Sequence, residues 1–322
     1  MRLIDKIRNF KVNSKIVIIM LTFMIVGVIG YGINYCFYSP SSVNKYIASN
    51  LYKEPANSYF EDDNFYQCVV DAYNKKNGTS LPYTTNLSDS QFESITSLSC
   101  QNKGIVSAKG INNLINLQYL DLSNDGFSHY PKNMIVNLDI SNNAKLESLL
   151  VYSNQLASLD VSNNTALTEL EVYSNQLASL DVSNNTALTH LDVSHNDLTS
   201  LDVSNNPALT KLSASSNQLT SLDVSNNKSL RELFAPTNAL TSLDVSNNKS
   251  LRELNVVFNQ LTSLDVSGAT SLTYLDARSN QLISLDVSGA TSLTYLDARS
   301  NQLISLDVSG ATSLTYLDAR SN

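Results

Sequence analysis

Several residue types that build catalytic or metal sites are scarce in this chain of 322 residues. It contains three histidines, three cysteines and no tryptophan. The histidines and cysteines do not have the spacing of zinc ligands, so no metal site or other cofactor is expected. The sequence also lacks a nucleophile elbow and a phosphate-binding loop, which argues against an enzyme.

Basic residues are fewer than acidic ones, 21 against 29, and the net charge is −8. The lysines and arginines of the repeat region are scattered along the sequence. A nucleic-acid partner would require a basic surface to neutralise its phosphates. We therefore expect no nucleic-acid partner.

One long hydrophobic run lies near the amino terminus. Residues 16–33 carry no charge, and five lysines and arginines precede them within residues 1–15. A run of 18 residues is at the lower limit for a spanning helix, and the basic flank indicates the cytoplasmic side. We predict a cytoplasmic segment at 1–15 and a transmembrane anchor or signal segment at 16–38, with the repeats extracytoplasmic. Secretion after signal cleavage and lipidation at Cys36 are the alternatives.

A linker at 39–58 and a helical cap at 59–94 are predicted next. The linker is polar, contains proline and has no clear period. In the cap, Phe65 and Cys68 at helical spacing predict one helix, and Ser88–Gln91 predicts the capping box of a second helix. Such a cap would cover the apolar edge of the first coil.

The remaining residues, 95–322, repeat a unit of 21 residues. The copy at 167–185 reads LTELEVYSNQLASLDVSNN. We number the positions of each unit as places, with the first leucine, here Leu167, as place 1. Apolar residues then occupy places 1, 4, 6, 11, 14 and 16, and asparagine occupies places 9 and 19. The triplets LEV and LDV alternate as strands do, so each coil should add one strand to each of two parallel sheets. The place-9 asparagines should satisfy backbone groups of the turns; they are Asn154, Asn175, Asn196, Asn217, Asn238, Asn259, Asn280 and Asn301.

The repeat resembles a known family, the bacterial leucine-rich repeat of 21 residues. The pattern LxxLxVxxNxLxxLDVSxN is occupied by Leu167, Leu170, Val172, Asn175, Leu177, Leu180, Val182 and Asn185. The segment before it looks like the amino-terminal cap of internalin-like surface proteins. The resemblance implies an α/β or mainly-β solenoid, a right-handed coil of short parallel strands. It also implies a non-catalytic surface protein that binds a protein ligand, as adhesins do.

Two cysteines are predicted to come together where the cap meets the first coil. Cys68 lies on the apolar face of the first cap helix, and Cys100 falls at place 6 of a degenerate first coil. An extracytoplasmic disulfide and two buried free thiols are both compatible with this placement. Cys36 would be unpaired.

One coil is longer than the others. It begins at Leu117 and carries Asp125 where asparagine is expected. Twelve residues, 126–137, then precede Leu138, where four would suffice. We expect residues 126–137 to bulge from one side, either as a binding loop or as a tolerated surface excursion.

Comparison of the coils separates a constant outer surface from a variable one. The constant surface carries the aspartate of each LDV or LDI triplet, from Asp139 to Asp307. These charges require hydrogen bonds from neighbouring serines or, alternatively, a ladder of cations. The variable surface, at places 3, 5 and 7, has the aromatic and acidic residues of a protein interface. Its predicted ligand-binding residues, with one from the adjacent turn, are Tyr152, Glu169, Glu171, Tyr173, His190, Asp192, Phe234, Val257, Phe258 and Tyr274.

These features favour a membrane-anchored surface protein that binds a protein ligand. The alternatives are a structural envelope component without a specific ligand, and the repeat region of a larger enzyme whose catalytic domain lies outside this chain. Because Asn322 is place 9 of a coil, we expect the solenoid to be truncated there.

Overall fold

The computed structural model describes residues 59–126 and 131–322. The predicted segments at 1–15, 16–38 and 39–58 lie outside these residues. Within the described residues, no helix has the length and apolarity needed to cross a membrane.

The described chain is a solenoid of short parallel strands that follows a small helical cap, as predicted. The cap contains helix α1 (Asp63–Asn77) and helix α2 (Asp89–Ser94), and a 3-10 turn (Ile111–Asn113) follows the first strand. Eleven strands form one parallel sheet, here named sheet A: β1 (Ser97–Ser99), β2 (Tyr119–Asp121), β3 (Ser148–Leu150), β4 (Glu169–Glu171), β5 (His190–Asp192), β6 (Lys211–Ser213), β7 (Glu232–Phe234), β9 (Glu253–Asn255), β11 (Tyr274–Asp276), β13 (Tyr295–Asp297) and β15 (Tyr316–Asp318). Four further strands are β8 (Ser242–Asp244), β10 (Ser263–Asp265), β12 (Ser284–Asp286) and β14 (Ser305–Asp307).

Most strands of sheet A have one inward leucine between two outward residues. In β4, Leu170 is buried while Glu169 and Glu171 are half-buried. Parallel pairing joins equal places of successive coils, so that Glu169 pairs with His190 and His190 with Lys211. Each place of the repeat therefore forms a column that runs across the coils.

The expectation of a second continuous sheet is wrong. Among the described coils, strands on the aspartate side occur only as the pairs β8–β10 and β12–β14. In earlier coils an asparagine side chain stands between neighbouring turns, and Asn184 Nδ2 donates to the Ser162 carbonyl oxygen at 3.3 Å. Glycine replaces this asparagine in the last coils, where a Cβ on Gly268 would lie 1.7 Å from the Ser246 carbonyl oxygen. The backbones there approach each other directly, which strand pairing requires.

The place-9 asparagines connect neighbouring coils, and their predicted role is confirmed. Asn196 Nδ2 donates to the Val193 carbonyl of its own coil at 3.0 Å and to the Val172 carbonyl of the preceding coil at 3.1 Å. Its Oδ1 accepts from the Leu177 amide at 2.9 Å. One buried amide thus satisfies backbone groups of two coils, which would otherwise be left without partners.

The long coil contains its place-9 asparagine, although not at position 125. Asn133 Nδ2 donates to the carbonyls of Cys100 and Leu122, both at 2.9 Å, and its Oδ1 accepts from the Ile105 amide at 2.9 Å. These are the bonds of the asparagine column. The extra residues therefore lie before Asn133, and the predicted bulge at 126–137 is wrong in its second half, where Ile135 is buried.

The cap is joined to the first coil by a carboxylate and by a disulfide. Asp62 Oδ1 accepts from the amides of Asn64 and Phe65 at the start of α1, and its Oδ2 accepts from the Val106 amide at 2.7 Å. Cys68 on α1 and Cys100 just after β1 are disulfide-bonded, with 5.8 Å between their Cα atoms. Cap and coil therefore share one buried core.

The aspartates of the constant surface accept hydrogen bonds from the serine two residues later, as one of the two sequence interpretations requires. The Ser162 amide donates to Asp160 Oδ1, and the Ser183 amide donates to Asp181 Oδ1, both at 2.9 Å. Bonds from these serines lower the pKa of both aspartates. The described residues contain no group of three His, Cys, Asp or Glu side chains that could hold a metal ion.

We predict that Asn133→Ala lowers the free energy of unfolding by at least about 2 kcal/mol, because several buried backbone groups lose their partner. Denaturant unfolding followed by circular dichroism measures this loss. The matched control is Asn137→Ala, four residues later, where the side chain is exposed. Equal stability of the two variants would contradict the assignment of Asn133 to the asparagine column.

We predict that the serine bonds to the aspartate column stabilise the fold only while the aspartates are ionised. The folded pKa is lowered relative to the unfolded one, so this stabilisation is present above the unfolded pKa, about 4, and is lost as pH falls through the folded pKa. Ser162→Ala should raise the pKa of Asp160, measured by carboxyl NMR titration, and leave that of Asp202 unchanged. An unchanged pKa of Asp160 would show that the serine hydroxyl contributes nothing.

Candidate binding face

The predicted ligand-binding residues all lie on sheet A or in the turn that follows it. The column of place 3 contains Glu169, His190 and Tyr274, and the column of place 5 contains Glu171, Asp192 and Phe234. Tyr152, Tyr173 and Val257 belong to place 7, and Phe258 belongs to place 8. Strand pairing in register brings these residues onto one face.

Two tyrosines form the aromatic centre of the amino-terminal half of this face. The rings of Tyr152 and Tyr173 are stacked, with centroids 4.3 Å apart and planes at 9°. Gln101 Nε2 donates to the Tyr152 hydroxyl at 3.2 Å. The two rings are half-buried and held between neighbouring coils, so they present a rigid aromatic surface.

Acidic groups crowd next to these rings. Glu171 lies two residues before Tyr173, shares its strand with Glu169, and pairs across the sheet with Asp192. Burial, followed by the charges of Glu169 and Asp192, raises the pKa of Glu171. Among the described residues Glu171 has no hydrogen-bond or ion-pair partner, so its charge is available to a ligand.

One predicted site residue is not exposed as expected, and another is exposed in an unusual backbone conformation. Val257 is only 5% exposed, because a short side chain in the column between Pro236 and Arg278 does not project beyond its neighbours. Phe258 is 63% exposed and has a backbone φ of +56°. The left-handed conformation recurs at place 8, where most coils have serine, so a bulky phenylalanine there is exceptional.

His190 is exposed and lies between two charged residues of its column. Its Nδ1 lies 2.9 Å from the Thr189 hydroxyl, and Glu169 and Lys211 are its neighbours in the column. This arrangement offers a polar contact to a ligand. It does not offer a nucleophile or a metal-binding set.

The carboxy-terminal half of the face has a different chemistry. Tyr274, Tyr295 and Tyr316 stack with centroid distances of 4.6 and 4.4 Å. Beside them, Asp276 and Asp297 are almost fully buried under arginines, with exposures of 1% and 0%. These aspartates and arginines are therefore not weak surface pairs, because the neighbouring coils exclude water from the carboxylates.

Comparison with known proteins supports this description. No protein-family model matches the chain, and no match was found among curated proteins. Among solved structures, the functional domain of InlJ from Listeria monocytogenes is 36% identical, with a TM-score of 0.64, over 82% of this chain and 60% of that one. The chain thus spans less than two thirds of that structure. The cysteine ladder named for that domain has no counterpart in the coils from Leu146 onward, which contain no cysteine.

Two further likenesses point the same way. YopM, a leucine-rich effector protein from Yersinia pestis, is 26% identical with a TM-score of 0.59, over 79% of this chain and 69% of that one. Internalin C2 from Listeria monocytogenes, at 22% identity and a TM-score of 0.58 over 78% of this chain and 96% of that one, supports the fold alone. Nothing in these likenesses indicates catalysis. The chain is a leucine-rich repeat protein with coils of about 21 residues, similar to the internalins.

Proposed function

We propose that this chain is a non-catalytic module that binds a protein ligand through the amino-terminal half of sheet A, outside a membrane to which residues 16–33 anchor it. The observation that carries the proposal is the stacked pair Tyr152 and Tyr173 beside the unpartnered carboxylate of Glu171. Aromatic groups on a rigid backbone lose little conformational entropy on binding, which is why they serve as anchors at interfaces.

The charge of this region favours a basic partner. Glu169, Glu171 and Asp192 lie together on two neighbouring strands, and the only nearby cation in these columns is Lys211, which forms an ion pair with Glu232 at 3.4 Å. Lysine or arginine side chains of a ligand would relieve the repulsion among the carboxylates. Their contribution is mainly to the association rate, so binding should weaken as salt is added.

The proposed location rests on two features of different kinds. The basic residues before 16–33 favour an amino terminus in the cytoplasm. The disulfide between Cys68 and Cys100 is typical of proteins outside the reducing cytosol. Both support repeats that lie on the extracytoplasmic side.

We predict that replacing Tyr152, Tyr173 and Phe234 together with alanine weakens ligand binding by more than about 2 kcal/mol, roughly 30-fold in Kd. The ligand is first identified with a photo-crosslinking residue at position 176, which is exposed beside Tyr173, and its affinity is then measured by calorimetry. The matched control replaces Ser158, Ser179 and Ser200, on the constant surface, with alanine and should bind normally. A larger loss in the serine variant would show that the constant surface is the binding face.

We predict that protease added to intact cells removes the repeats and leaves residues 1–15 protected, because the basic flank keeps the amino terminus inside. Antibodies against each end of the chain detect the two fragments. The control is the same digestion after the membrane has been opened with detergent. Protection of the whole chain in intact cells would contradict the orientation, and release of a chain lacking residues 1–38 into the medium would establish cleavage instead of anchoring.

A further inference from the structure

A groove runs along the edge of sheet A in the last three coils. It encloses about 420 Å³ and is lined by three arginines of place 7, by the serines that follow them, and by Phe258. The arginines are Arg278, Arg299 and Arg320. No carboxylate lines the groove, because the aspartates of these coils are buried beneath the guanidinium groups.

Each arginine is held by an aspartate of its own coil and keeps one edge free. Arg299 contacts Asp297 through Nε at 2.9 Å and Nη2 at 2.6 Å, and Arg278 contacts Asp276 through the same two nitrogens. Arg320 binds Asp318 in the same way. A guanidinium has five N–H donors, and among the described residues no acceptor contacts Nη1 of any of the three.

The buried aspartates also fix where the free edges lie. Asp297 is fully buried, so the surrounding side chains hold its carboxylate in place. Arg299 Nε also lies 3.3 Å from a second carboxylate, that of Asp318. The Ser279 amide donates to the Arg299 carbonyl at 2.9 Å and keeps the turns in register. The three guanidinium groups are thus preorganised for a ligand, which lowers the entropy cost of binding.

The spacing of the arginines restricts the shape of the ligand. Neighbouring coils are about 4.8 Å apart at the strands. An α-helix rises about 1.5 Å per residue, so side chains three or four residues apart are separated by about 4.5 to 6 Å along its axis. Same-side residues of an extended peptide are about 6.6 Å apart. A helix therefore matches the arginine column better than an extended chain.

We propose that this groove is a second binding surface, which takes an acidic α-helix of a protein partner whose carboxylates, three or four residues apart, bind the free edges of Arg278, Arg299 and Arg320. The guanidinium fork is suited to bidentate recognition of carboxylate. Each arginine is already neutralised by its aspartate, so each added bond is weak, and the affinity comes from three bonds formed together. This surface is separate from the acidic half of sheet A.

Phe258 adds an apolar contact at one end of the groove. It is the exposed residue with left-handed backbone at the entrance to the arginine column. A bulky residue in this conformation is strained, and such strain is concentrated at functional sites. An apolar residue of the helix, next to its acidic stripe, would cover the Phe258 ring.

The test uses the full chain in zwitterionic detergent and a stapled, alanine-rich helix of about 20 residues with glutamate at every third or fourth position. Calorimetry at low ionic strength should detect its binding, and a peptide of the same composition with glutamates spread around the helix should bind at least tenfold more weakly. Replacing the three arginines with lysine keeps every charge but removes the fork, and should weaken binding at least tenfold. The matched control, Arg231→Lys with Arg252→Lys on exposed positions, should bind as the parent chain does.

Three results would overturn the proposal: equal binding of the two peptides, equal binding by the lysine variant, or binding of heparin without binding of the stapled helix. Thermal unfolding of each variant shows whether it is folded. If the triple lysine variant unfolds, Phe258→Ala decides the question, because its side chain is largely exposed and outside the core. That variant should bind the helix about fivefold more weakly, and unchanged binding would count against the groove.

Discussion

The side-chain amide of the place-9 asparagine is the interaction on which the rest of this solenoid depends. A coil of 21 residues is mostly turn, and its inward-facing backbone groups have no regular ladder to satisfy them. Asn196 resolves this by bonding to carbonyls of two coils and to the amide of Leu177. Because these bonds cross between coils, they fix the register between neighbours as well as the shape of each turn.

This register gives the surfaces of the molecule their character. A residue type that recurs at one place forms a continuous column across the coils. The stacked tyrosines, the bound aspartates and the aligned arginines are therefore direct results of repetition and in-register pairing. The same geometry crowds like charges, as at Glu171 beside Asp192, unless the fold supplies partners. The serine bonds to Asp160 supply them on the constant surface, and on sheet A Ser148 donates to Glu169 and the Ser194 amide donates to Asp192, whereas Glu171 has no such bond among the described residues. The contrast between these bonded carboxylates and Glu171 is the main physical argument for placing ligand binding on sheet A.

The sequence predicted the features that follow from periodicity and missed those that depend on neighbouring coils. The repeat, the inward leucines and the asparagine bonds could all be inferred from spacing. Counting positions from Leu117 led to Asp125, but the buried bonds of Asn133 show where the column continues. A signal for this was present, since Ile135 lies two residues after Asn133, as Leu177 lies two residues after Asn175. The burial of Val257 and Asp276 was not predictable from one coil, because the adjacent coils cover them.

From Ser267 the same 21 residues occur twice, and the first 14 of them follow once more at 309–322. Arg278 and Arg299 each bond to an aspartate of their own coil and approach the aspartate of the next. A unit inserted between two of these coils would meet the same partners on both sides as the unit it displaced. Such an array can be lengthened or shortened by whole coils, with no new junction for the fold to accommodate. The length of the arginine column therefore depends on the number of copies alone, and a change in its reach requires no change in any single residue.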